Sequence, residues 1–269
     1  MLPDSQQVIQ IMREAATTLI TPRFRQLHED DIKEKSPGDL VTIADLEAEK
    51  HLQEKLTTLV PGSLMVGEEE AEDCPEILER LKGNNPVWVL DPLDGTRNFA
   101  HGRKPFAVIV AYCQGEETLM GWIHDPITGE TIWAGKGQGC WAGDKRLTLP
   151  ASPPLKDMHG SLSRSHAKRI MAIKEGPQSI RRVGCVGRDY MDLALGNIHF
   201  ARYACHLKPW DHAAGVLLHT EAGGCNHLIK AGRSYHPGLT PAKAVADDEI
   251  MILAPDRMTI EVISSMLNK

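Results

Sequence analysis

The sequence contains no hydrophobic run long enough to cross a membrane as a helix, which takes roughly 18 to 20 consecutive apolar residues. Its first residues, MLPDSQQ, also lack the basic start and the apolar stretch of a secretory signal peptide. We therefore expect a protein that neither spans a membrane nor carries a signal peptide, and we predict a cytoplasmic location.

A surplus of basic residues is absent too. Lys and Arg number 30 against 36 Asp and Glu, which gives a net charge of −6. Because phosphate backbones are bound mainly through Lys and Arg, this balance argues against nucleic acid as a partner. The composition is otherwise globular, with 42% hydrophobic and 25% charged residues. A chain of 269 residues can bury a substantial core.

Paired-cysteine motifs are missing as well. The six cysteines are spread along the chain and form no C-x-x-C pair; they are Cys74, Cys113, Cys140, Cys185, Cys205 and Cys225. Several lie in apolar segments, so we predict reduced cysteines in the core. His206 and His212 flank Trp210 and Asp211, but their spacing matches no zinc-binding pattern.

The hydrophobic periodicity predicts an alternation of helices and strands. Helices are expected over residues 5–20, 42–59 and 76–82, and from Asp211 to a stop at Gly223-Gly224. Residues 33–40 are expected to form a charged loop, and 87–90 a strand. Residues 105–147 predict an antiparallel meander, and the segment 151–157 is the best internal boundary. Because residues 141–147 predict a hairpin, we reject a dinucleotide site at the G-x-G-x-x-A pattern of residues 137–142.

The predicted strand at 87–90 leads directly into two carboxylates, Asp91 and Asp94. One interpretation is a turn that only caps the next helix. The other is a metal site, because a charge at the edge of the core is costly unless it is paired. No Lys or Arg lies between the two residues, so a divalent cation is the simplest way to satisfy both.

Three further carboxylates have similar settings. Glu68 follows the apolar run LMVG, Asp211 begins a predicted helix, and Asp45 lies on the inward stripe of another. The alternatives are a solvated loop, a helix cap and an exposed helix residue. A set of oxygen ligands favours Mg²⁺ over Zn²⁺. Gly95-Thr96 would start a helix whose N–H groups attract phosphate, so metal and anion sites together indicate phosphoryl chemistry.

These residues resemble the inositol monophosphatase family of Mg²⁺-dependent, lithium-sensitive phosphatases. WVLDPLDGTRNF at 88–99 is similar to the family's D-P-L-D-G-T-x-N-F signature, and PWDHAAGVLLHTEAGG at 209–224 to its W-D element. GEEE at 67–70, SPGDLVTIADLEAE at 36–49 and GKGQGCWAGDKRL at 135–147 resemble three further elements. The resemblance covers most of the chain.

The resemblance implies an α+β fold, a layered αβαβα sandwich of the sugar phosphatase type. It implies one domain over residues 1–269, with an N-terminal α+β half to about residue 150 and a smaller C-terminal α/β half from about 151 to 269. The active site is expected between the halves. The resemblance also implies a homodimer.

The resemblance assigns roles to individual residues. The first metal is expected on Glu68, Asp91 and the carbonyl of Leu93, and the second on Asp91, Asp94 and Asp211. The catalytic residues are expected to be Thr96, Asp45 and Glu68. The implied substrate-binding residues are Leu93, Asp94, Gly95, Thr96, Gly184, Cys185, Val186 and Asp211. Lys35 falls in the family's mobile loop, which helps to bind a further metal.

The implied reaction is hydrolysis of a small phosphate monoester by a metal-activated water, with inositol 1-phosphate as the first substrate to consider. The acidic residue that contacts the inositol ring in animal enzymes is replaced here by Tyr203 or Ala204. Histidinol phosphate, fructose 1,6-bisphosphate and 3′-phosphoadenosine 5′-phosphate are therefore rival substrates. A regulatory partner protein that keeps the phosphatase fold is the alternative of another class.

Overall fold

Two large β-sheets, a two-stranded hairpin and three layers of helices make up the described fold, in a computed structural model that describes residues 2–205, 207–239 and 248–267. Helix α1, Ser5–Ala15, continues into a π-helical turn, Ala16–Ile20. The strands β1, Ile32–Ser36, and β2, Asp39–Thr42, precede α2, Ile43–Leu59. The side chain of Asp4 caps α1, and Thr42 and Asp45 form a capping box at α2.

The loop predicted at residues 33–40 is wrong. The chain forms an antiparallel hairpin there, in which Ile32 pairs with Thr42 and Lys33 with Val41. Gly38 supplies the positive φ of +83° that the turn requires. The sequence did not predict this hairpin, because its charged residues do not alternate with apolar ones.

The larger sheet has seven strands in the order β3 to β9. Strand β3 (Leu64–Gly67) is followed by helix α3 (Glu68–Asp73) and a 3₁₀ segment (Pro75–Lys82). Strand β4 (Val87–Asp94) and helix α4 (Thr96–Ala100) come next. The remaining strands are β5, Ala107–Gln114, β6, Glu117–His124, β7, Thr131–Gly135, β8, Gly139–Ala142, and β9, Lys145–Leu147. β3 runs parallel to β4, and all later neighbours are antiparallel, so the predicted meander is confirmed.

The second sheet follows the segment 148–158. It contains β10, His159–Ser161, β11, Ser179–Arg181, β12, Phe200–Ala204, β13, Cys225–Leu228, and β14, Ile250–Ala254, in the order β11-β10-β12-β14-β13. Its helices are α5, Arg164–Met171, α6, Val186–Leu195, α7, Pro209–Glu221, and α8, Arg257–Leu267. The last of the predicted helices therefore begins two residues before Asp211 and ends before the two glycines.

The layers follow from the alternation of side chains along the strands. Trp88 and Leu90 of β4 pack with α1 and α2, while Val87 and Val89 face α6 and α7 on the other side. The far face of the second sheet packs against α5 and α8. This order is the expected αβαβα sandwich, which is confirmed.

The cysteines divide between the core and the surface. Cys113, Cys140 and Cys185 are buried, Cys74 and Cys225 are half-buried, and Cys205 is exposed. All six are unpaired, so the prediction of core cysteines is correct for three and wrong for Cys205. Among the described residues, no helix is both long and apolar enough to cross a bilayer. His206 lies outside the described residues.

His219 lies on α7 and allows the burial of a histidine in the core to be tested through the pH dependence of stability. Its ring is fully buried, and neither ring nitrogen has a hydrogen-bond partner. Burial lowers the pKa of His219 to about 4. The unfolded chain therefore takes up a proton below about pH 6.5 that the folded chain resists, and stability is lost as the pH falls toward the folded pKa.

We expect His219→Leu to remove this dependence. Between about pH 7 and about pH 5, its free energy of unfolding should fall by about 2 kcal/mol less than that of the wild type. Urea denaturation at the two pH values measures the difference. The matched control is His28→Leu, since His28 is exposed. Equal pH dependence in His219→Leu and the wild type would contradict the burial of a neutral ring.

Candidate active and metal site

The site begins where two parallel strands end side by side. Gly67 of β3 is level with Leu90 of β4, so the next residues, Glu68 and Asp91, leave the two strands at the same height. Pairing of β4 with β5 shifts by one residue between Asp91 and Asp94. Residues three apart on a regular strand point to opposite faces, and the extra residue of this bulge allows both carboxylates to reach the same side.

A third element brings Asp211. This residue lies in the first turn of α7, where the positive end of the helix dipole favours a carboxylate. Oxygen atoms of Asp91, Asp94 and Asp211 all lie within 4.8 Å of one another. Glu68 adjoins the group, because it interacts with both Asp91 and Asp211. The structure thus brings together the four acidic residues expected to hold metal.

The group concentrates negative charge with little compensation. Burial, followed by the neighbouring carboxylates, raises the pKa of Asp91 and of Glu68 well above their ordinary values. The same causes raise the pKa of Asp211 to about 8. Burial also raises the pKa of Asp94, although hydrogen bonds from Cys185 Sγ at 3.0 Å and Gly187 N at 2.6 Å oppose it. A buried set of hard oxygen donors of this kind fits a divalent cation such as Mg²⁺.

Lys35 is the nearest basic residue to Glu68, with 3.9 Å between Nζ and the carboxylate. It also pairs with Glu69 at 3.1 Å and Glu72 at 2.6 Å. Burial opposes its charged form, but the hydrogen bond to Glu72 and the charges of Glu68 and Glu69 outweigh burial and raise the pKa of Lys35. Lys35 therefore lies on strand β1 and forms ion pairs with the acidic residues of α3.

Thr96 and Asp45 form a second part of the site. Thr96 Oγ lies 2.9 Å from Asp45 Oδ1 and 2.9 Å from the carbonyl oxygen of Leu93. The other oxygen of Asp45 accepts hydrogen bonds from the N–H of Thr42 at 2.8 Å and from its hydroxyl at 2.5 Å. Burial raises the pKa of Asp45 to about 6 against these bonds. The capping box of α2 thus fixes the carboxylate that contacts Thr96.

Gly95 makes the turn between β4 and α4. Its φ is +88°, and a Cβ there would lie 3.1 Å from the carbonyl oxygen of Pro105. Both the backbone conformation and the space require glycine. The turn places Thr96 at the first position of α4, directly after the carboxylate of Asp94.

The expected substrate-contacting segment, Gly184 to Val186, lies beside Asp94. The Cys185 thiol donates to Asp94 Oδ2 and accepts the N–H of Arg188, 3.4 Å away, at the start of α6. The segment lines a cavity of about 370 Å³ that also includes Asp94, Tyr203 and Ala204. The residues predicted to bind substrate are therefore brought together with the acidic group.

Two supporting residues escaped the sequence analysis. Glu49 accepts the N–H groups of Glu69 and Glu70 at 3.0 Å each, and so holds the helix that begins with Glu68. Asn98 donates to the carbonyl oxygens of Pro105 at 2.8 Å and Val183 at 2.9 Å, which ties α4 to the substrate-contacting segment. Glu49 lies in the motif at residues 36–49 and Asn98 in the motif at residues 88–99. Membership of these motifs was the sequence feature that could have indicated their roles.

Comparison with known proteins gives a consistent result. The model of the inositol monophosphatase family matches residues 4–257. The chain is 33% identical over 234 residues to an inositol-1-monophosphatase of Caulobacter vibrioides, covering 81% of this chain and 86% of that one. It is 29% identical over 232 residues to a fructose-1,6-bisphosphatase/inositol-1-monophosphatase of Aquifex aeolicus, covering 83% and 85%. The crystal structure of the extragenic suppressor protein SuhB of Bartonella henselae matches with a TM-score of 0.77 and 26% identity, over 98% of each chain.

The charge of the acidic group predicts how stability responds to Mg²⁺. We expect Mg²⁺ to raise the melting temperature of the wild type, because an ion that binds only the folded state stabilises it. Asp211→Asn should lose most of this increase and, without metal, should melt no lower than the wild type, since one of the repelling carboxylates is gone. Differential scanning fluorimetry with EDTA or Mg²⁺ measures both effects.

The matched control is Asp144→Asn, an exposed residue in the turn between β8 and β9. It should respond to Mg²⁺ as the wild type does. An undiminished Mg²⁺ response in Asp211→Asn would show that the ion binds elsewhere.

Proposed function

The chain belongs to the inositol monophosphatase family, and from this membership we propose that it hydrolyses a small phosphate monoester in a Mg²⁺-dependent reaction. Inositol 1-phosphate, or a similar polyol phosphate, is the proposed substrate. The observation that carries the proposal is the position of the Thr96–Asp45 pair directly beside the buried carboxylates. Histidinol phosphate and fructose 1,6-bisphosphate are the alternative substrates within the same chemistry.

Glu68, Asp91, Asp94, Asp211 and the carbonyl oxygen of Leu93 are proposed to hold the metal. Bound there, Mg²⁺ would lower the pKa of a coordinated water and stabilise negative charge on the phosphoryl oxygens. The carboxylates supply the negative charge that attracts the ion. Their hydrogen bonds to the backbone, such as that of Asp91 Oδ1 with Leu93 N at 2.9 Å, keep them in place before it arrives.

Thr96 is proposed to orient the attacking water. A hydroxyl has one proton to donate, and Asp45 Oδ1 and the Leu93 carbonyl oxygen compete for it at equal distance. Once Asp45 accepts this hydrogen bond, the lone pairs of Thr96 Oγ are free to accept a hydrogen bond from the water. With a pKa of about 6, Asp45 is ionised at neutral pH and suits this role.

The backbone N–H groups of Gly95 and Thr96, at the start of α4, are proposed to bind the phosphate together with the metal. Substrate is thereby placed against Asp94 on one side and the Gly184–Val186 segment on the other. This arrangement needs no nucleophilic side chain, because the attacking group is water. A homodimer remains a prediction.

We expect Thr96→Ala to lower kcat for inositol 1-phosphate by about 100-fold or more, because the water loses its orienting hydroxyl. Thr96→Ser, which keeps the hydroxyl, should retain far more activity. Asp94→Asn should lose nearly all of it, and Li⁺ should inhibit the wild type. Phosphate release in Mg²⁺, assayed over a panel of cyclitol, sugar and histidinol phosphates, measures each rate.

Thr58→Ala is the control for these variants, since Thr58 is exposed on α2 and bonds only to its own helix. Activity of Asp94→Asn equal to the wild type would overturn the assignment of the site. The absence of hydrolysis across the whole panel would overturn the proposed reaction.

A second candidate function is regulatory. The similarity to a protein called extragenic suppressor protein SuhB favours it, because that name describes a genetic effect and no hydrolysis. We propose it as an additional role that keeps the phosphatase fold, with a component of the nucleic-acid machinery as the partner. The intact set of carboxylates argues against a protein that has lost catalysis.

The Asp94→Asn variant distinguishes the regulatory role from hydrolysis. Because Asp94 is buried, its substitution should abolish hydrolysis and leave the outer surface unchanged. A regulatory role predicts that the variant captures the same partner, in the same amount, as the wild type in a pull-down. Capture that disappears together with activity would count against a role independent of catalysis.

A further inference from the structure

The cavity beside Asp94 is lined by two arginines that form no ion pair with a described residue, Arg182 and Arg202. The cavity has a volume of about 370 Å³, and Asp94 forms part of its wall. Other residues of the wall are Arg182, Arg202, Ser161, Ser163 and Tyr203. A substrate whose phosphate lies at the acidic group would extend its alcohol part into this space. The lining of the cavity therefore decides which alcohols fit.

Arg202, on β12, lacks a protein partner for its charge. Among the described residues, no carboxylate lies within 4.0 Å of its guanidinium, and its buried Nε has no hydrogen-bond partner. Burial lowers the pKa of Arg202, and its charge contributes to lowering the pKa of the nearby His166, after burial of that ring. A partly buried cation without a counter-charge is unfavourable unless a ligand provides one.

Neighbouring arginines show the usual alternative. Arg181 pairs with Asp189 and with Asp192, and Arg188 pairs with Asp192 and with Asp125. Asp189 also accepts a hydrogen bond from Ser161 Oγ at 2.6 Å. The carboxylate of Asp189 lines the same cavity, but its ion pair is with Arg181, and no ion pair joins it to Arg202.

Arg182 adds a second guanidinium. It directly follows β11, is exposed, and forms no ion pair with a described residue. Tyr203 contributes a hydroxyl that is also buried without a hydrogen-bond partner. The cavity therefore presents donors and positive charge at the position where a ring-binding acid would present an acceptor.

We propose that the preferred substrate carries a second anionic group, a phosphate or a carboxylate, and that Arg202 and Arg182 bind it. The inference rests on the proposed function, because the first phosphate is placed at the acidic group. Guanidinium groups suit this task, since their planar fork can donate two parallel hydrogen bonds to either anion. The hydroxyl of Tyr203 can add a third donor.

The test compares pairs of substrates that differ only in the second charge. One arm uses myo-inositol 1,4-bisphosphate against myo-inositol 1-phosphate, and the other uses 6-phosphogluconate against glucitol 6-phosphate. In at least one arm, we expect the wild type to have a kcat/KM about tenfold or more higher for the doubly charged compound. The arm that shows the preference identifies the anion as phosphate or carboxylate.

Arg202→Gln should remove the preference by raising KM for the doubly charged compound, while kcat and the singly charged compound change little. Arg202→Lys should keep part of the preference, and Arg182→Gln should weaken it. Arg257→Gln is the matched control, because Arg257 is exposed on α8 and pairs only with Glu261. No preference in either arm, or an equal loss for both compounds in Arg202→Gln, would overturn the inference.

A measurement without turnover separates this inference from the proposed reaction. The same compounds are tested for thermal stabilisation of the wild type and Arg202→Gln in Ca²⁺ instead of Mg²⁺. Stabilisation that depends on Arg202 and on the second charge supports the anion site even if none of the compounds is hydrolysed. Hydrolysis without any such dependence leaves the phosphatase proposal standing and rejects the anion site.

Discussion

Repulsion among buried carboxylates is the constraint on which the rest of the site depends. Asp91, Asp94 and Asp211 are held within a few ångströms of one another, and Glu68 adjoins them. Such a group is unfavourable by itself, so the surrounding backbone must fix it. Two strand ends, a bulge and a helix start do so, and a divalent cation bound among the carboxylates would relieve their repulsion.

The sequence predicts this part of the protein well, for a physical reason. Each acidic residue of this group lies at a transition between an apolar element and a turn, and such transitions can be predicted from the local sequence. Asp91 and Asp94 follow a buried strand, and Asp211 begins a helix of apolar residues. The layered fold was predicted from the family resemblance that the motifs at these transitions carry. The distances between these residues could not be predicted, because they depend on the register of β3 against β4.

The features that the sequence did not predict have two causes, which are a missing apolar alternation and partners that are distant along the chain. The β1–β2 hairpin has no apolar alternation, and the ion pairs of Lys35 with Glu69 and Glu72 join segments more than thirty residues apart. Arg202 is similar, because its character comes from the missing counter-charge and not from a motif. The acidic group can thus be predicted from short stretches of sequence, whereas the wall of the neighbouring cavity is defined only by packing.

The hydrogen bonds that Asp94 accepts from Cys185 and Gly187 cross from the end of the first sheet to the first turn of α6. The candidate active site is therefore formed by two layers together, and neither layer contains it alone. Any loosening that lets α6 drift from β4 would dismantle the pocket while most of the secondary structure survives. The proposed hydrolysis would consequently report how tightly the layers are docked, and heating should abolish it before the chain melts.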